Sequence, residues 1–328
     1  MLYARTEGIE MAYRSSDVKD RRFTDLNCRW VLFVICVTAW SGNSEAQVRG
    51  VYPPGMSATN SGVTPESGFS YVNQFLVYSR SSLRDRNGRV TATGNNSVIL
   101  DMNSFVWVSN KEILGGARFS MSATLPIAKN SLTNDATGPI SGNSGFGDSY
   151  YQPFILGWNK KGVAVKAIYG FLAPTGKFRA GANDNVGSGY WTHVVASGQT
   201  VYLTKNKATS LSAFQMYEFH TTQEGTNIHP GQTFDLDYSL MQSIPLRGDR
   251  SVQLGLVGYN QWQTTDKIGP TITPQQAAAH YKVNAVGFAT NVALPAQKLN
   301  FGIKYFKEFA NRSTFQGYSV QISGSYKF

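Results

Sequence analysis

The chain has 328 residues, of which 15% are charged and 13% aromatic, with 32 glycines and a formal net charge of +10. Mean hydropathy is below zero, and no apolar run beyond residue 40 approaches the roughly 18 residues a spanning helix needs, which excludes a helical membrane protein. Low charge with abundant Tyr, Phe, Gly, Ser and Asn fits a β-rich fold with many turns, a description that a soluble sandwich and a barrel share.

The first recognisable element is the apolar run from Trp30 to Trp40, preceded by Arg29 and followed by the small residues Ser44 and Ala46. A short apolar core with a basic flank and a small-residue site reads as a secretory signal, with cleavage expected after Ala46. A buried helix or a membrane anchor is the poorer reading, because the run is too short to span. Residues 1–46 carry six basic and six acidic side chains, so the mature chain keeps the whole net charge. A true start at Met11 or later accounts for the long lead. Both cysteines, Cys28 and Cys36, lie here. The mature chain from Gln47 therefore has no disulfide framework, thiolate metal site or cysteine nucleophile, which suits passage through an oxidising periplasm.

Residues 47–67 contain Pro53, Pro54 and Gly55 and no strand pattern. They are expected as a tail in the periplasm or in a lumen. From residue 68 to 328, strand-like segments alternate with turn-rich gaps. In 117–125 the apolar set Ala117, Phe119, Met121, Ala123 and Leu125 opposes Arg118, Ser120, Ser122 and Thr124. The same two-faced pattern recurs at 234–244, 299–309 and 316–328, where Tyr318, Val320, Ile322, Tyr326 and Phe328 share one face. Side chains alternate with period two along a strand, and such runs suit tilted membrane-spanning strands with lipid on one side and water on the other. Less regular segments at 69–82, 97–108, 150–158, 163–174, 192–203, 210–221, 252–265 and 281–294 bring the total to twelve. The expectation is an all-β fold, a transmembrane antiparallel up-and-down β-barrel; ten or fourteen strands also fit the length. Tight polar connections (159–162, 205–208, 247–250, 295–298) alternate with long ones (131–147, 175–190, 223–232, 266–276), as periplasmic turns and external loops do. The loops 131–147 and 175–190 are the candidates to fold inward.

Several stretches resemble the outer-membrane proteins named for the meta-pathway of phenol degradation. They are Tyr52-Pro-Pro-Gly55, Leu83-Arg-Asp-Arg-Asn-Gly88, Glu112-Ile-Leu-Gly-Gly116, Gly145-Phe-Gly-Asp-Ser149, Gln152-Pro-Phe-Ile-Leu-Gly-Trp158, Pro174-Thr-Gly176, Gly189-Tyr-Trp191 and Gly231-Gln-Thr-Phe-Asp-Leu-Asp-Tyr238. Gly258-Tyr259 and Thr265-Asp266 continue the series, which spans essentially the mature chain. The resemblance implies a β-barrel of the outer membrane of a Gram-negative bacterium, transporter-like, associated with uptake of aromatic or other hydrophobic carbon sources. It carries over no catalytic or ligand residues.

Read from the alternation, the lumen face includes Asp101, Asn103, Arg118, Lys166, Asp235, Asp237, Gln253, Lys282, Lys304 and Glu308. As an ensemble these make a wet, mixed-charge pore whose basic surplus attracts anions or polar aromatics. One by one, each is more plainly a polar residue paired inside a barrel. Asp235 and Asp237 share a face and could bind a cation with a third ligand, although pairing with Arg or Lys is the commoner outcome. His193, His220, His229 and His280 sit in no catalytic motif and read as interface or loop residues. No enzyme, cofactor or metal is expected, although a barrel lipase stays open. Aromatics near strand ends read as interfacial girdles. Tyr326 and Phe328 are the expected barrel-assembly signal. The basic residues do not cluster with aromatics as a nucleic-acid surface would, so the partners expected are lipid, anionic lipopolysaccharide, the assembly machinery and a small organic solute. A structural or adhesive barrel with a plugged lumen is the second reading.

Overall fold

A computed structural model describes residues 49–328 except residue 183; the signal segment, its cleavage after Ala46 and both cysteines lie outside the described residues. The strands are β1 (Gly68–Arg84), β2 (Val90–Ile113), β3 (Ala117–Asn134), β4 (Gly138–Phe146), β5 (Ser149–Asn159), β6 (Val163–Ala173) and β7 (Thr192–Tyr202). They continue as β8 (Thr209–His220), β9 (Thr233–Pro245), β10 (Ser251–Gln263), β11 (Lys282–Leu294), β12 (Leu299–Glu308) and β13 (Phe315–Lys327). A one-turn helix, α1 (Pro274–Ala277), sits between β10 and β11.

All pairings are antiparallel, each strand except β4 hydrogen-bonds its successor, and β13 returns to β1. β3 serves two neighbours: its outer half pairs β4 and its inner half pairs β5. β4 and β5 are thus two pieces of one wall position, interrupted at Gly147 and Asp148. The result is a closed barrel of twelve strands in which no edge is left for pairing in the membrane. All twelve segments read from the alternation are strands. Residues 131–147, expected as a loop, instead continue β3 to Asn134, turn, and come back as β4. Their Ser, Thr, Asn and Gly content resembles a loop because this hairpin has no apolar face to present. The ladder from Ile127↔Phe146 to Asn134↔Gly138 nevertheless satisfies its backbone.

The connections 114–116, 160–162, 203–208, 246–250 and 295–298 at one rim are all short, whereas the other rim carries the long ones, 174–191, 221–232 and 264–281, beside the shorter 85–89, 135–137 and 309–314. By that asymmetry the first rim is periplasmic and the second external. In the tight β2–β3 turn Leu114, Gly115 and Gly116 all take positive φ, 43°, 75° and 90°, which is why the Gly-Gly pair is needed there.

The outer face is apolar. Phe105, Trp107, Met121, Leu125, Phe154, Val195, Leu256, Phe288, Ile303 and Ile322 are all exposed. Ring contacts run across it from Trp107 to Phe119 at 6.2 Å and on to Phe154 at 6.2 Å. The seam is closed at the periplasmic rim by the Phe328 amide, which donates to the Phe69 carbonyl at 3.0 Å, while the two rings pack 6.1 Å apart. Tyr326 points outward beside them.

With both cysteines ahead of the barrel, single-cysteine probes in a chain starting at Gln47 report this register cleanly. A nitroxide at position 101 or 288 is expected to be accessible to oxygen dissolved in lipid, and one at position 241 shielded from it. The opposite order in power-saturation EPR would refute the inward–outward assignment.

Candidate functional site

Residues 49–64 have no periodicity, and Pro53 and Pro54 offer no backbone donor, so the segment cannot join the sheet. It runs inside the barrel instead, from the external half down to the periplasmic rim, and the wall supplies what its backbone lacks. Arg49 forks onto Glu308, Nη1 to Oε1 at 2.7 Å and Nη2 to Oε2 at 3.1 Å. Glu308 also accepts from Tyr78 Oη, Tyr259 Oη, Asn311 Nδ2 and the Gly317 amide. Glu218 accepts the amides of Val51 and Tyr52 at 2.9 and 2.8 Å. Asp237 accepts Tyr52 Oη at 2.6 Å and the amides of Gly55 and Ser57 at 2.8 and 3.1 Å. Lys304 Nζ donates to the Gly55 and Met56 carbonyls at 2.8 and 2.7 Å. Lower down, Gly62 N bonds Thr200 Oγ1, and Thr64 exchanges two bonds with Asn159.

Glycines in the wall make room for this segment. A Cβ on Gly198 would overlap the Ser61 carbonyl, and one on Gly157 would overlap the Thr64 side chain. Gly55, at φ 86°, packs directly on the rings of Phe306 and Tyr259. The strand positions that most need a side chain for β stability lack one because the lumen is occupied there.

The lumen has two sides, and both carry buried apolar side chains; on the acid-bearing side Met241, Val257, Tyr259, Val283 and Phe306 cluster with Ala58. The four buried carboxylates, Glu218, Asp235, Asp237 and Glu308, come from β8, β9 and β12. Asp235 receives Gln261 Nε2 at 2.7 Å, and its Oδ2 has no hydrogen-bond partner. The other side is an apolar cluster: Leu76 and Tyr78 of β1, Met102 of β2, Ile155, Ile168, Val194 and Ala196 of β5–β7, and Phe214 and Met216 of β8. Tyr52 and Met56 of the inner segment face this cluster, and Tyr52 packs on Phe214 at 5.7 Å. Residues 51–57 therefore turn their backbone to Glu218, Asp237 and Lys304, and the side chains of Tyr52 and Met56 to this cluster.

Of the residues singled out in the sequence, Asp235, Asp237, Lys304 and Glu308 converge around this segment. Gln253 joins them lower down, bonded to Asn60. Lys166 shares the inward register of Ile168 on β6, apart from the acids. Arg118 lies at the periplasmic rim with Glu112 at 3.8 Å. Asp101 and Asn103 do not line the lumen. On β2 the inward register is Val98, Leu100, Met102 and Ser104, and Asp101 shares the outer register with the exposed Phe105 and Trp107. There Asn73 Nδ2 donates to Asp101 at 2.6 Å, and Asn103 bonds Tyr71, so the polar atoms partner one another at the wall. Lys282 is also outward. It alternates with buried Val283 and Ala285, stands exposed at the external rim and pairs its backbone with Arg312. The polarity of these side chains suggested an inward position; the apolar lumen face of β2 and the small residues of β11 reverse it.

Arg49, Tyr52, Glu218 and Gln261 were not anticipated. Glu218 was legible in retrospect, since it shares its register with Ser212, Phe214 and Met216. Among the histidines, His193 is outward against Tyr169, while His229 and His280 are in loops. His220 is buried in the lumen, bonded to Thr192 at 2.8 Å and 3.3 Å from Glu218. Among the described residues no group of three His, Cys, Asp or Glu is placed to hold a metal ion.

The sequence profile of the family described as "Putative MetA-pathway of phenol degradation" matches residues 80–323. The chain belongs to this family. No curated protein matches it. Its fold is similar to that of the COG4313 outer membrane channel from Pseudomonas putida F1, with a TM-score of 0.67 at 13% identity, covering 85% of this chain and 100% of that one. The β domain of the Bordetella autotransporter BrkA gives 0.49 at 11%, covering 80% and 100%. A mutant of TodX, a monoaromatic hydrocarbon channel, gives 0.39 at 11%, covering 81% and 91%. These identities speak to fold, and the last two scores are too low to bear on anything further.

In this MetA-pathway barrel the stretch Gly145-Phe-Gly-Asp-Ser149 acquires a physical role. It is where the wall strand breaks. The Asp148 carboxylate accepts the amides of Gly176 and Ser188 at 3.0 and 2.7 Å, tying down the external loop 174–191. Side chains on Gly176 or Gly187 would overlap this junction. Within the loop, a hydrogen bond from Lys177 at 2.6 Å holds the Asp184 carboxyl below its usual range.

Two outcomes follow from these contacts. Glu308→Gln leaves Arg49 without its counter-charge, at a cost of about 3 kcal/mol or more. Trypsin is then expected to cleave after Arg49 in the folded, heat-modifiable protein, where the parent resists. Gly198→Val is expected to push residues 61–62 off the wall and raise single-channel conductance in planar bilayers; unchanged conductance with intact folding would mean that the segment does not limit the lumen.

Proposed function

We propose that this protein is an outer-membrane channel for small organic solutes, aromatic or otherwise hydrophobic. In this reading residues 1–46 direct export through the periplasm. The assembly machinery reads the terminal strand with Tyr326 and Phe328, and the basic exterior rests against lipopolysaccharide. The observation that carries the reading is the contiguous apolar face on β1, β2 and β5–β8. It is formed by Leu76, Met102, Ile155, Ile168, Val194, Phe214 and Met216, and of the inner segment only Tyr52 and Met56 cover it. Apolar linings with a few polar groups are what hydrophobic ligands fit. Residues 49–64 stand beside this face as the element whose displacement opens it. Membership of the MetA-pathway family and the barrel fold support the same class, and no residue is assigned a catalytic role.

The filled lumen favours a second reading, a structural or adhesive barrel that passes nothing. Cells expressing the protein are expected to take up labelled toluene at micromolar concentration several-fold faster than cells lacking it. An Asn60→Cys/Gln253→Cys pair, joined by a short thiol crosslinker where the two parent side chains meet, is expected to hold the segment down and abolish the difference. Equal uptake with and without the protein would favour the plugged barrel.

A further inference from the structure

The lumen's charges are unevenly spent. Glu218, Asp237 and Glu308 are occupied by residues 49–57, as are Arg49 and Lys304. Among the described residues, two inward cations that flank the apolar cluster are left without a carboxylate. Arg80 follows Leu76 and Tyr78 on the inward register of β1, toward the external end. Its guanidinium lies 4.6 Å from the Phe315 ring centroid and 5.7 Å from that of Tyr78. Its sole hydrogen bond is a long one to Asn130 at 3.5 Å, and its Nε is buried without a partner. Glu308, the nearest acid of that region, is already saturated by Arg49, Tyr78, Tyr259, Asn311 and Gly317.

Lys166 precedes Ile168 on the inward register of β6, toward the periplasmic end. Its cross-strand neighbours are Gly157 and Gly198, which offer no side-chain acceptor. No described residue forms an ion pair or hydrogen bond with its ammonium.

We propose that the apolar side of the lumen takes organic monocarboxylates, aromatic acids foremost, with the carboxylate bound by Arg80 at the outer end and by Lys166 at the inner end. An unpaired guanidinium between two rings suits a planar anion: its fork accepts a carboxylate bidentately, and the rings flank the ligand's own apolar body. A desolvated cation without a partner is costly to keep. An anion in transit removes that cost at Arg80 and finds a second counter-charge at Lys166, while Leu76, Met102, Ile155 and Ile168 contact the hydrocarbon part between. Two separated cations also let the head group be released at one and regained at the other, the weak multi-site binding that conduction requires. The inference rests on the channel reading and sharpens its substrate class from hydrophobic solutes to their acids.

The test uses the full mature chain in detergent, with benzoate and its neutral counterpart benzyl alcohol measured by isothermal titration calorimetry at neutral pH. The parent is expected to bind benzoate more tightly than benzyl alcohol. Arg80→Gln is expected to weaken benzoate about tenfold, the size of one charge-assisted hydrogen bond, and leave benzyl alcohol unchanged. Arg80→Lys should recover part of the loss. In proteoliposomes, Lys166→Gln should slow benzoate entry with binding at Arg80 intact. Heat-modifiability on gels shows that each variant is folded. Equal benzoate affinity in the parent and Arg80→Gln, or no preference of the parent for the anion, would overturn the proposal. If toluene uptake by cells persists in that event, the anion site has failed and the channel reading has not.

Discussion

Four carboxylates buried inside a closed barrel impose the requirement that the rest of this structure meets. An ionised acid removed from water is costly unless donors surround it. The wall leaves Glu218 and Asp237 short of donors and leaves Glu308, which has four wall donors, without a counter-charge. Residues 49–64 supply both. They bring one guanidinium, a phenol and a series of backbone amides, while Lys304 answers the segment's own carbonyls. The glycines at 157 and 198, the broken wall strand and the apolar far side all make sense once that segment is the fixed point.

The division of the lumen follows from the same requirement. Residues 51–57 give their backbone to β8, β9 and β12 and have only side chains left for the opposite wall, and Tyr52 and Met56 are apolar or nearly so. The facing strands β1, β2 and β5–β7 match them. Hence β2 is apolar on the inside at Leu100 and Met102, and its outward Asp101 and Asn103 are tolerated through bonds to Asn73 and Tyr71. In most barrels polarity sorts the two faces; here, on this side, it does so weakly.

That explains what the sequence made legible. Where the lumen is polar and the exterior apolar, as on β9, β12 and β13, period-two reading gives both the strand and its inner face, and Asp235, Asp237, Lys304 and Glu308 stand on the inward register. The same reading finds β2 and β11 as strands but reverses Asp101 and Lys282. Leu100 and Met102 inside and Phe105 and Trp107 outside leave no contrast to read on β2. The 138–146 hairpin was hidden for a related reason, since a strand bordered by a loop rather than by lipid needs no apolar register. Residues 49–64 were hidden because their partners are scattered between 78 and 321, and no local pattern encodes them. The one trace they leave in the strands is the absence of side chains at inward Gly157 and Gly198.

The bond between Arg49 and Glu308 joins residues 259 positions apart. The segment leads directly into β1, and β1 closes the barrel only by finding β13, the last strand made. Filling the lumen and sealing the wall are therefore a single late event, governed by contacts of the greatest possible sequence separation. Loop-closure entropy makes such contacts slow to form. Arg49 reaches from Glu308 on β12 to the Phe315 carbonyl on β13, so the segment that caps the acids of β8 and β9 also bridges the strands beside the seam. In the closed ring the first described residues and the last strands hold one another in place.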